Sequence, residues 1–275
     1  MNNFLVKKDY LNELTPLSKE QFSYGDKGDD VKRIQELLYL WQLDTNIDID
    51  TIIIDGIWGD HTQKIVLALQ PEFNVKADGI ITNQLFLDML APMKEAFSLE
   101  SFNKKSLRDK IVFFAKKHLQ YRSCEINQLN QGPWVRSYMG GHDGEEWYWC
   151  QGFVCTILDQ AFSTINQKFT DHYANTFICE KFHQGAKDNN LCFSYNDILN
   201  KKTSIEAGDI GLVISPTKNR ATHVFIIVDV LDAEKQIVQT IEGNTNFGGS
   251  RNGTGVFMRI RSFSDTIELV KCITE

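Results

Sequence analysis

The segment Trp-Cys-Gln-Gly-Phe-Val at residues 149–154 is the stretch of sequence that predicts both a fold and a reaction. Apolar residues follow Cys150 at helical spacing as far as Ala161, so Cys150 is expected in the first turn of an amphipathic helix. In that turn the unpaired N–H groups and the helix dipole favour a thiolate, the reactive form of cysteine. Taken without its surroundings, the same segment describes a buried cysteine on a core helix.

A thiolate nucleophile requires a base, and a histidine stands at the start of a clear strand further along the chain. His223 precedes Val-Phe-Ile-Ile-Val at residues 224–228, so it is expected at the mouth of the strand, facing a cleft. Glu242 and Asn244 are two residues apart in the next predicted strand and therefore share one face. Either of them could accept a proton from the second imidazole nitrogen and fix the tautomer. For either residue alone, a polar strand end beside a turn is the simpler interpretation.

Aromatic residues directly before the cysteine predict the wall of a cleft that binds a sugar or a peptide. Catalysis by Cys150 and His223 is expected to need no metal and no organic cofactor. We predict substrate contacts at four positions, three of them next to Cys150 or nearly so and one in the preceding loop. They are Trp147, Trp149, Gln151 and Asn130.

Composition limits the partners and the location of the protein. The 275 residues are 42% hydrophobic and 24% charged, as in an ordinary globular chain large enough for two domains. A net charge of -7 disfavours nucleic acid as the main partner, because phosphate binding requires a basic face. The amino-terminal residues lack the apolar core of a secretory signal, and no run resembles a membrane span. We therefore expect synthesis in the cytoplasm, no membrane insertion, and action on other compartments only after release or secretion.

The six cysteines do not indicate a disulfide framework, because they form no C-x-x-C pair and the chain is long. Most are expected to be small core residues. His172, Cys179, His183 and Cys192 fall within one segment, but their spacing matches no common zinc pattern. Buried thiols or a local Cys179–Cys192 disulfide explain them better, so no metal site is predicted.

The amino-terminal third of the chain repeats one local pattern. Asp-Gly-Ile occurs at residues 55–57 and again at 78–80, and each copy is followed by a helix start. Glycine permits the turn and threonine caps the helix, so a structural role explains these residues. The repetition predicts a three-helix unit. The predicted domain boundaries are a leader at 1–22, this helical domain at 23–97, a linker at 98–105 and a second domain at 106–275.

The repeated turns belong to a longer pattern of glycine, aspartate and threonine that also contains an Ile-Gln pair at residues 34–35. Its positions are Gly25, Gly28, Val31, Asp55, Gly56, Gly59, Thr62, Asp78, Gly79 and Thr82. With this pattern the segment resembles the peptidoglycan-binding domain type 1 family. It departs from that family in a long isoleucine-rich loop at 44–54 and in lacking the glycine usual near the end of the preceding helix. The resemblance implies peptidoglycan as a partner, contacted in a groove between helices.

The second domain carries five separated motifs in one order. They are Asn-x-Gly-Pro-x-Val-x-x-Tyr at 130–138, Trp-Cys-x-x-Phe-Val at 149–154, Gly-Asp-Ile at 208–210, the histidine-led strand at 223–228 and Ile-Glu-Gly-Asn-Thr at 241–245. In this order they resemble the CHAP family of papain-like cysteine, histidine-dependent amidohydrolases and peptidases, over about residues 106–263. The resemblance implies an α+β fold in which a helix bearing Cys150 packs on an antiparallel sheet. It also implies that Cys150 is the nucleophile, His223 the general base, and Glu242 or Asn244 the orienting residue.

Together the two resemblances imply a peptidoglycan hydrolase that cuts an amide bond. The bond is either the one that joins muramic acid to the stem peptide, or a peptide bond in the stem or crossbridge. A phage endolysin and a secreted antibacterial effector both fit, and a delivery or immunity protein would then be a further partner. Two alternatives stay open at this point: a catalytically inactive wall-binding structural protein, and a papain-like peptidase that acts on proteins.

Overall fold

Helices and strands are largely segregated along the chain, which gives the predicted α+β class. The computed structural model describes residues 4–45, 47–99, 105–127, 129–250 and 252–273. In this part of the chain ten α-helices lie before residue 200, and most of a six-stranded sheet follows. None of the described helices is both long and apolar enough to cross a membrane.

Contacts divide the chain into two compact units. One unit is Leu11–Glu95, and the other combines the residues up to Tyr10 with those from Ala96 onward. The predicted leader is thus shared between the two units. Residues 1–3 of that leader and residues 100–104 of the predicted linker lie outside the described residues.

The unit Leu11–Glu95 is built from short helices around a two-stranded antiparallel pair. Its elements are α1 (Tyr10–Glu13), β1 (Gln21–Phe22), α2 (Asp29–Asp44), α3 (Asp60–Leu69), a 3₁₀ turn (Gln70–Phe73), β2 (Ile81–Thr82), α4 (Asn83–Met89) and α5 (Ala91–Ala96). β1 pairs with β2. Val31, Ile34 and Leu38 recur at helical spacing in α2 and are fully buried, whereas Trp41 on the same face is half-buried.

A buried glutamine holds each Asp-Gly-Ile turn of this unit. The Gln35 amide donates to Asp55 Oδ1 at 2.9 Å, and its carbonyl oxygen accepts from the Gly56 N–H at 2.7 Å. Gln70 makes the equivalent bonds to the turn at residues 78–80, at 2.9 and 2.8 Å. The two glutamines are 0% and 1% exposed, so the polar ends of both turns are satisfied inside the unit. The sequence repeat therefore reflects one hydrogen-bonded arrangement, a buried glutamine bonded to an Asp-Gly turn, that occurs twice.

Replacing Gln35 with alanine should weaken the first turn. The change leaves the Gly56 N–H without its acceptor and should destabilise the unit by about 2–3 kcal/mol, since a buried group loses its partner. Hydrogen–deuterium exchange at residues 55–57, measured in the full chain, reports this locally. The control is Gln84→Ala, which removes an exposed amide from α4 and should leave exchange at the turn unchanged. Full protection of the Gly56 amide in Gln35→Ala would contradict the proposed clamp.

The second unit places five helices before the main strands of an antiparallel sheet. Its elements are α6 (Leu107–Gln120), α7 (Pro133–Tyr138), α8 (Cys150–Ser163), a 3₁₀ turn (Phe169–Asp171), α9 (Cys179–Asp188), β3 (Cys192–Phe193), α10 (Tyr195–Leu199), β4 (Ile210–Ser215), β5 (Arg220–Asp232), β6 (Ile237–Thr245), β7 (Gly255–Ser262) and β8 (Ile267–Val270). The strand order is β3-β8-β4-β5-β6-β7, and every neighbouring pair is antiparallel.

Two glycines allow α8 to approach its neighbours closely. A Cβ at Gly243 in β6 would lie 2.8 Å from the Phe153 Cβ and 3.0 Å from the Trp149 ring. A Cβ at Gly152 in α8 would collide with the Tyr138 carbonyl at the end of α7. Because the helix is fixed on both sides, its first residue, Cys150, is held against the strands that follow.

The first described residues of the chain also pack on α8. Phe4 is buried, and the Leu5 N–H donates to Ser163 Oγ at 3.0 Å. The Lys7 N–H donates to Asp159 Oδ2 at 2.6 Å. This part of the predicted leader therefore packs along α8, the helix that begins with Cys150.

Candidate active site

Cys150 is the first residue of α8 and lines a cleft of about 550 Å³. Its N–H is among those that an α-helix leaves without an intrahelical partner. The preceding residue is anchored, because Trp149 Nε1 donates to Glu125 Oε1 at 2.7 Å. Glu125 also accepts the Asn130 N–H at 3.0 Å, so one buried carboxylate ties two loops together beside the nucleophile.

His223 and Glu242 lie against each other on two adjacent strands, and His223 is the fourth residue of β5 and not at its mouth as expected. His223 Nε2 lies 2.8 Å from Glu242 Oε2, and both side chains are 0% exposed. This contact leaves Nδ1 for Cys150, which interacts with the imidazole ring. Among the described residues Nδ1 has no partner at standard hydrogen-bond geometry, so the contact is loose. Catalytic hydrogen bonds of this kind often tighten only when substrate binds.

Glu242 is itself held in its charged form. Arg261 Nε and NH2 donate to its two oxygens, each at 2.6 Å, and Thr240 Oγ1 donates at 2.7 Å. Burial raises the pKa of Glu242, but His223 and Arg261 outweigh burial and lower the pKa to about 2. The buried carboxylate is therefore ionised throughout the range in which proteins work.

The electrostatics favour a thiolate–imidazolium pair. Burial lowers the pKa of His223, but interactions with Cys150 and Glu242 overcome this and raise it to about 9. The pKa of Cys150 lies well below its ordinary range because Cys179 donates a hydrogen bond to it and His223 supplies positive charge, against the effect of burial. Both groups thus carry charge near neutral pH, which is the state that cysteine hydrolases need.

Cys179, which the sequence suggested only as a buried thiol or a partner of Cys192, is the second thiol of the site. Its Sγ lies 3.7 Å from Cys150 Sγ, and it begins α9 as Cys150 begins α8. The hydrogen bond to Cys150 and burial together hold the pKa of Cys179 well above its ordinary value. Cys179 is therefore the protonated donor of the pair.

Asn244 lies elsewhere and braces a loop. Its amide nitrogen donates to Asn130 Oδ1 at 3.0 Å, and its oxygen accepts the Gly253 N–H at 3.0 Å. In a regular strand Asn244 would point to the same face as Glu242. The strand is not regular here, because the pairing of β6 with β7 shifts register between Glu242 and Thr245. Asn244 also adopts a left-handed backbone with φ of 54°. Of the two residues predicted to orient the histidine, the structure therefore places Glu242 against it.

Only one of the four predicted substrate contacts lines the cleft. Trp147 does so, with its ring stacked on His142 at a centroid distance of 4.4 Å. Trp149 is fully buried against Tyr138, and Asn130 is buried between loops. Gln151 is also fully buried, and its amide donates to Cys155 within the same helix.

The four cysteines and histidines considered for a metal site do not form one cluster. All six cysteines are free thiols, so the considered Cys179–Cys192 disulfide is not formed. His183 and Cys192 instead meet Glu268, and one ligand atom from each lies within 4.8 Å of the others, so these three could hold a metal ion. Glu268 Oε2 accepts from His183 Nε2 at 2.8 Å and from Cys192 Sγ at 3.1 Å, so hydrogen bonds alone also satisfy the cluster.

No protein-family model matches the chain, and comparisons with curated proteins and with solved structures found no significant match. What the site can do therefore follows from its own geometry. A charged thiolate, an imidazolium fixed by a buried carboxylate and free N–H groups at a helix start suit nucleophilic attack on a carbonyl carbon.

The ionisation of the pair predicts different pH profiles for alkylation and for hydrolysis. Iodoacetamide should modify Cys150 rapidly at neutral pH, where an ordinary cysteine is only roughly a few per cent thiolate. Alkylation should persist as pH rises, whereas hydrolysis should fall through about pH 9, where His223 loses the proton that the leaving amine needs. Peptide mass spectrometry identifies the modified thiol. His223→Ala should slow alkylation at pH 7 by about tenfold or more, and an unchanged rate would contradict the ion pair.

The distinct roles of Glu242 and Asn244 predict distinct variants. Glu242→Gln removes a charge that raises the pKa of His223, so the alkaline fall in hydrolysis should move below pH 9 and the rate should drop by about 10²–10⁴. Asn244→Gly keeps the left-handed backbone and should lower thermal stability while leaving the midpoint of the pH profile in place. An equal displacement of that midpoint in both variants would show that Asn244 also acts on the histidine.

Proposed function

We propose that this chain is a cysteine hydrolase that cuts amide bonds of peptidoglycan, as an N-acetylmuramoyl-L-alanine amidase or an endopeptidase with a papain-like fold. The observation that carries the proposal is the series of contacts that runs from half-buried Arg261 through buried Glu242 and His223 to Cys150, which lines a cleft. A structural protein has no evident need for a thiolate that lines a cleft.

The mechanism follows from the two charged groups. The Cys150 thiolate attacks the amide carbonyl carbon, and N–H groups at the start of α8 stabilise the oxyanion. His223 then gives its proton to the leaving amine, which leaves an acyl thioester on Cys150. Water attacks the thioester while His223 accepts its proton, and the thiolate is regenerated. Glu242 keeps the imidazole ring oriented and stabilises its positive charge throughout.

The cleft suits a substrate that carries both signs of charge. Its lining includes two acidic residues, Glu146 and Glu180, and two basic residues, Lys218 and Arg220. Trp147 and Tyr148 add apolar surface for a sugar ring or a peptide backbone. Stem peptides of peptidoglycan present free carboxylates, amines and neighbouring sugars, so this mixture supports them as the substrate class.

The amino-terminal unit supports the same substrate. Its sequence pattern resembles peptidoglycan-binding domains, and the buried glutamine clamps explain why that pattern recurs twice. A binding unit on the same chain would raise the local concentration of the hydrolase at its polymer. We infer action on the cell wall after release or secretion, as an endolysin or an antibacterial effector, with a delivery or immunity protein as a further partner in the second case.

Digestion of purified sacculi tests the proposal. The wild type should release soluble fragments and Cys150→Ala should release none. Cys272→Ala is a matched control, because Cys272 and Cys150 are each 3% exposed but Cys272 lies outside the cleft. We expect this variant to retain full activity.

The fragments, identified by mass spectrometry, define the bond. Stem peptides freed from muramic acid would identify an amidase, and shortened stems or split crosslinks an endopeptidase. Binding to sacculi without release by the wild type would reject hydrolysis in favour of a structural wall-binding role. Cleavage of an unfolded protein but not of sacculi would instead identify a protein peptidase.

A further inference from the structure

We propose that Cys150 and Cys179 form a reversible disulfide when a peroxide reaches the cleft. Formation of the disulfide does not depend on the function proposed above. Its effect, which is to stop hydrolysis, rests on that function. Cys179 would then be the resolving thiol of the site.

The geometry places the two sulfurs within reach of one another. Their separation is 3.7 Å, and a disulfide bond is about 2.05 Å long, so each sulfur needs to move by less than about 1 Å. Both cysteines line the same cleft, so an oxidant that reaches one also reaches the other.

The helix that carries Cys179 is held in place independently of the thiol. Glu180 accepts the Ala221 N–H at 2.7 Å, two residues before the histidine. One turn further along α9, His183 contacts Glu268 at 2.8 Å. These two contacts tie α9 to β5 and β8, so Cys179 is presented to Cys150 by a fixed backbone.

The two thiols differ in protonation, as disulfide formation through a sulfenic acid requires. Cys150 is the thiolate and therefore the group that peroxide oxidises, whereas Cys179 keeps its proton beside that charge. Oxidation converts Cys150 into a neutral sulfenic acid, which removes the negative charge that holds the Cys179 proton. Cys179 then becomes easier to deprotonate when an electrophilic sulfur lies next to it.

The two steps balance with hydrogen peroxide as the oxidant. The Cys150 thiolate attacks one peroxide oxygen, a sulfur–oxygen bond forms, the oxygen–oxygen bond breaks, and the departing hydroxide takes the His223 proton to become water. The Cys179 sulfur then attacks the sulfenic sulfur, the sulfur–oxygen bond breaks, and hydroxide leaves with the Cys179 proton as a second water. Two thiol groups are oxidised by two electrons and one peroxide is reduced to two waters.

The other cysteines have different surroundings. Cys155 is the nearest in sequence, but its sulfur contacts the Ala174 and Thr176 carbonyls at 3.7 and 3.5 Å. The Cys192 thiol donates to Glu268 at 3.1 Å. We therefore expect one specific pairing.

The experiment treats the reduced full-length protein with hydrogen peroxide, blocks the remaining thiols and maps its peptides without reduction. We expect one linked peptide that joins Cys150 to Cys179 and is lighter than the two separate peptides by two hydrogens. Cys179→Ala removes the resolving thiol, so Cys150 should instead advance to the sulfinic acid, which dithiothreitol does not reverse. Cys272→Ala should give the same linked peptide as the wild type.

Activity is measured on the same samples, each variant relative to its own untreated rate. Peroxide should reduce wild-type sacculus digestion at least about tenfold, and dithiothreitol should restore it, whereas the loss in Cys179→Ala should persist. Sulfinic acid on Cys150 in the wild type, or a link from Cys150 to another cysteine, would overturn the proposal. A linked peptide with undiminished hydrolysis would overturn the switch. A linked peptide in a protein that never digests sacculi would support the disulfide and contradict the proposed function.

Discussion

The constraint on which the site depends is the ionised state of one carboxylate inside the sheet. Glu242 is fully buried, and a buried charge is tolerated only with close partners of opposite sign and enough hydrogen bonds. Arg261, Thr240 and His223 provide them from β7, β6 and β5. Burial lowers the pKa of His223, and Glu242 is one of the two groups, with Cys150, that raise it again. The charge of the carboxylate that contacts His223 thus depends in part on an arginine two strands away from the histidine.

Close packing converts this electrostatic arrangement into a fixed geometry. Gly243 and Gly152 let α8 lie against β6 and the end of α7 without intervening side chains. A helix held this closely cannot shift along the sheet without steric collision, because protein interiors pack at crystal-like density. Cys150 is the first residue of this helix. It therefore stays at the helix N-terminus, near the N–H groups there, and beside His223.

Local sequence patterns indicated Cys150 and His223 but not the residues that contact and charge them. The run of apolar residues after Cys150 and the strand after His223 are periodic, so their elements could be predicted. Arg261 was missed because its strand alternates polar and apolar residues in the ordinary way, and only the tertiary fold shows its guanidinium reaching Glu242. Cys179 lies in a segment whose helix is positioned by distant contacts, to Ala221 and to Glu268. No local signal carries that information.

The same limit explains why three of the four predicted substrate contacts lie outside the cleft. Successive residues of a helix point about 100° apart, so Gln151 turns into the core while Cys150 faces the opening. Trp149 is used as an anchor for Glu125 and Tyr138, which fixes the helix start. In the amino-terminal unit the recognisable Asp-Gly turns are likewise occupied by internal bonds to buried glutamines. A motif that is conspicuous because the fold requires it reports architecture, and binding falls to the side chains left at the surface between such motifs.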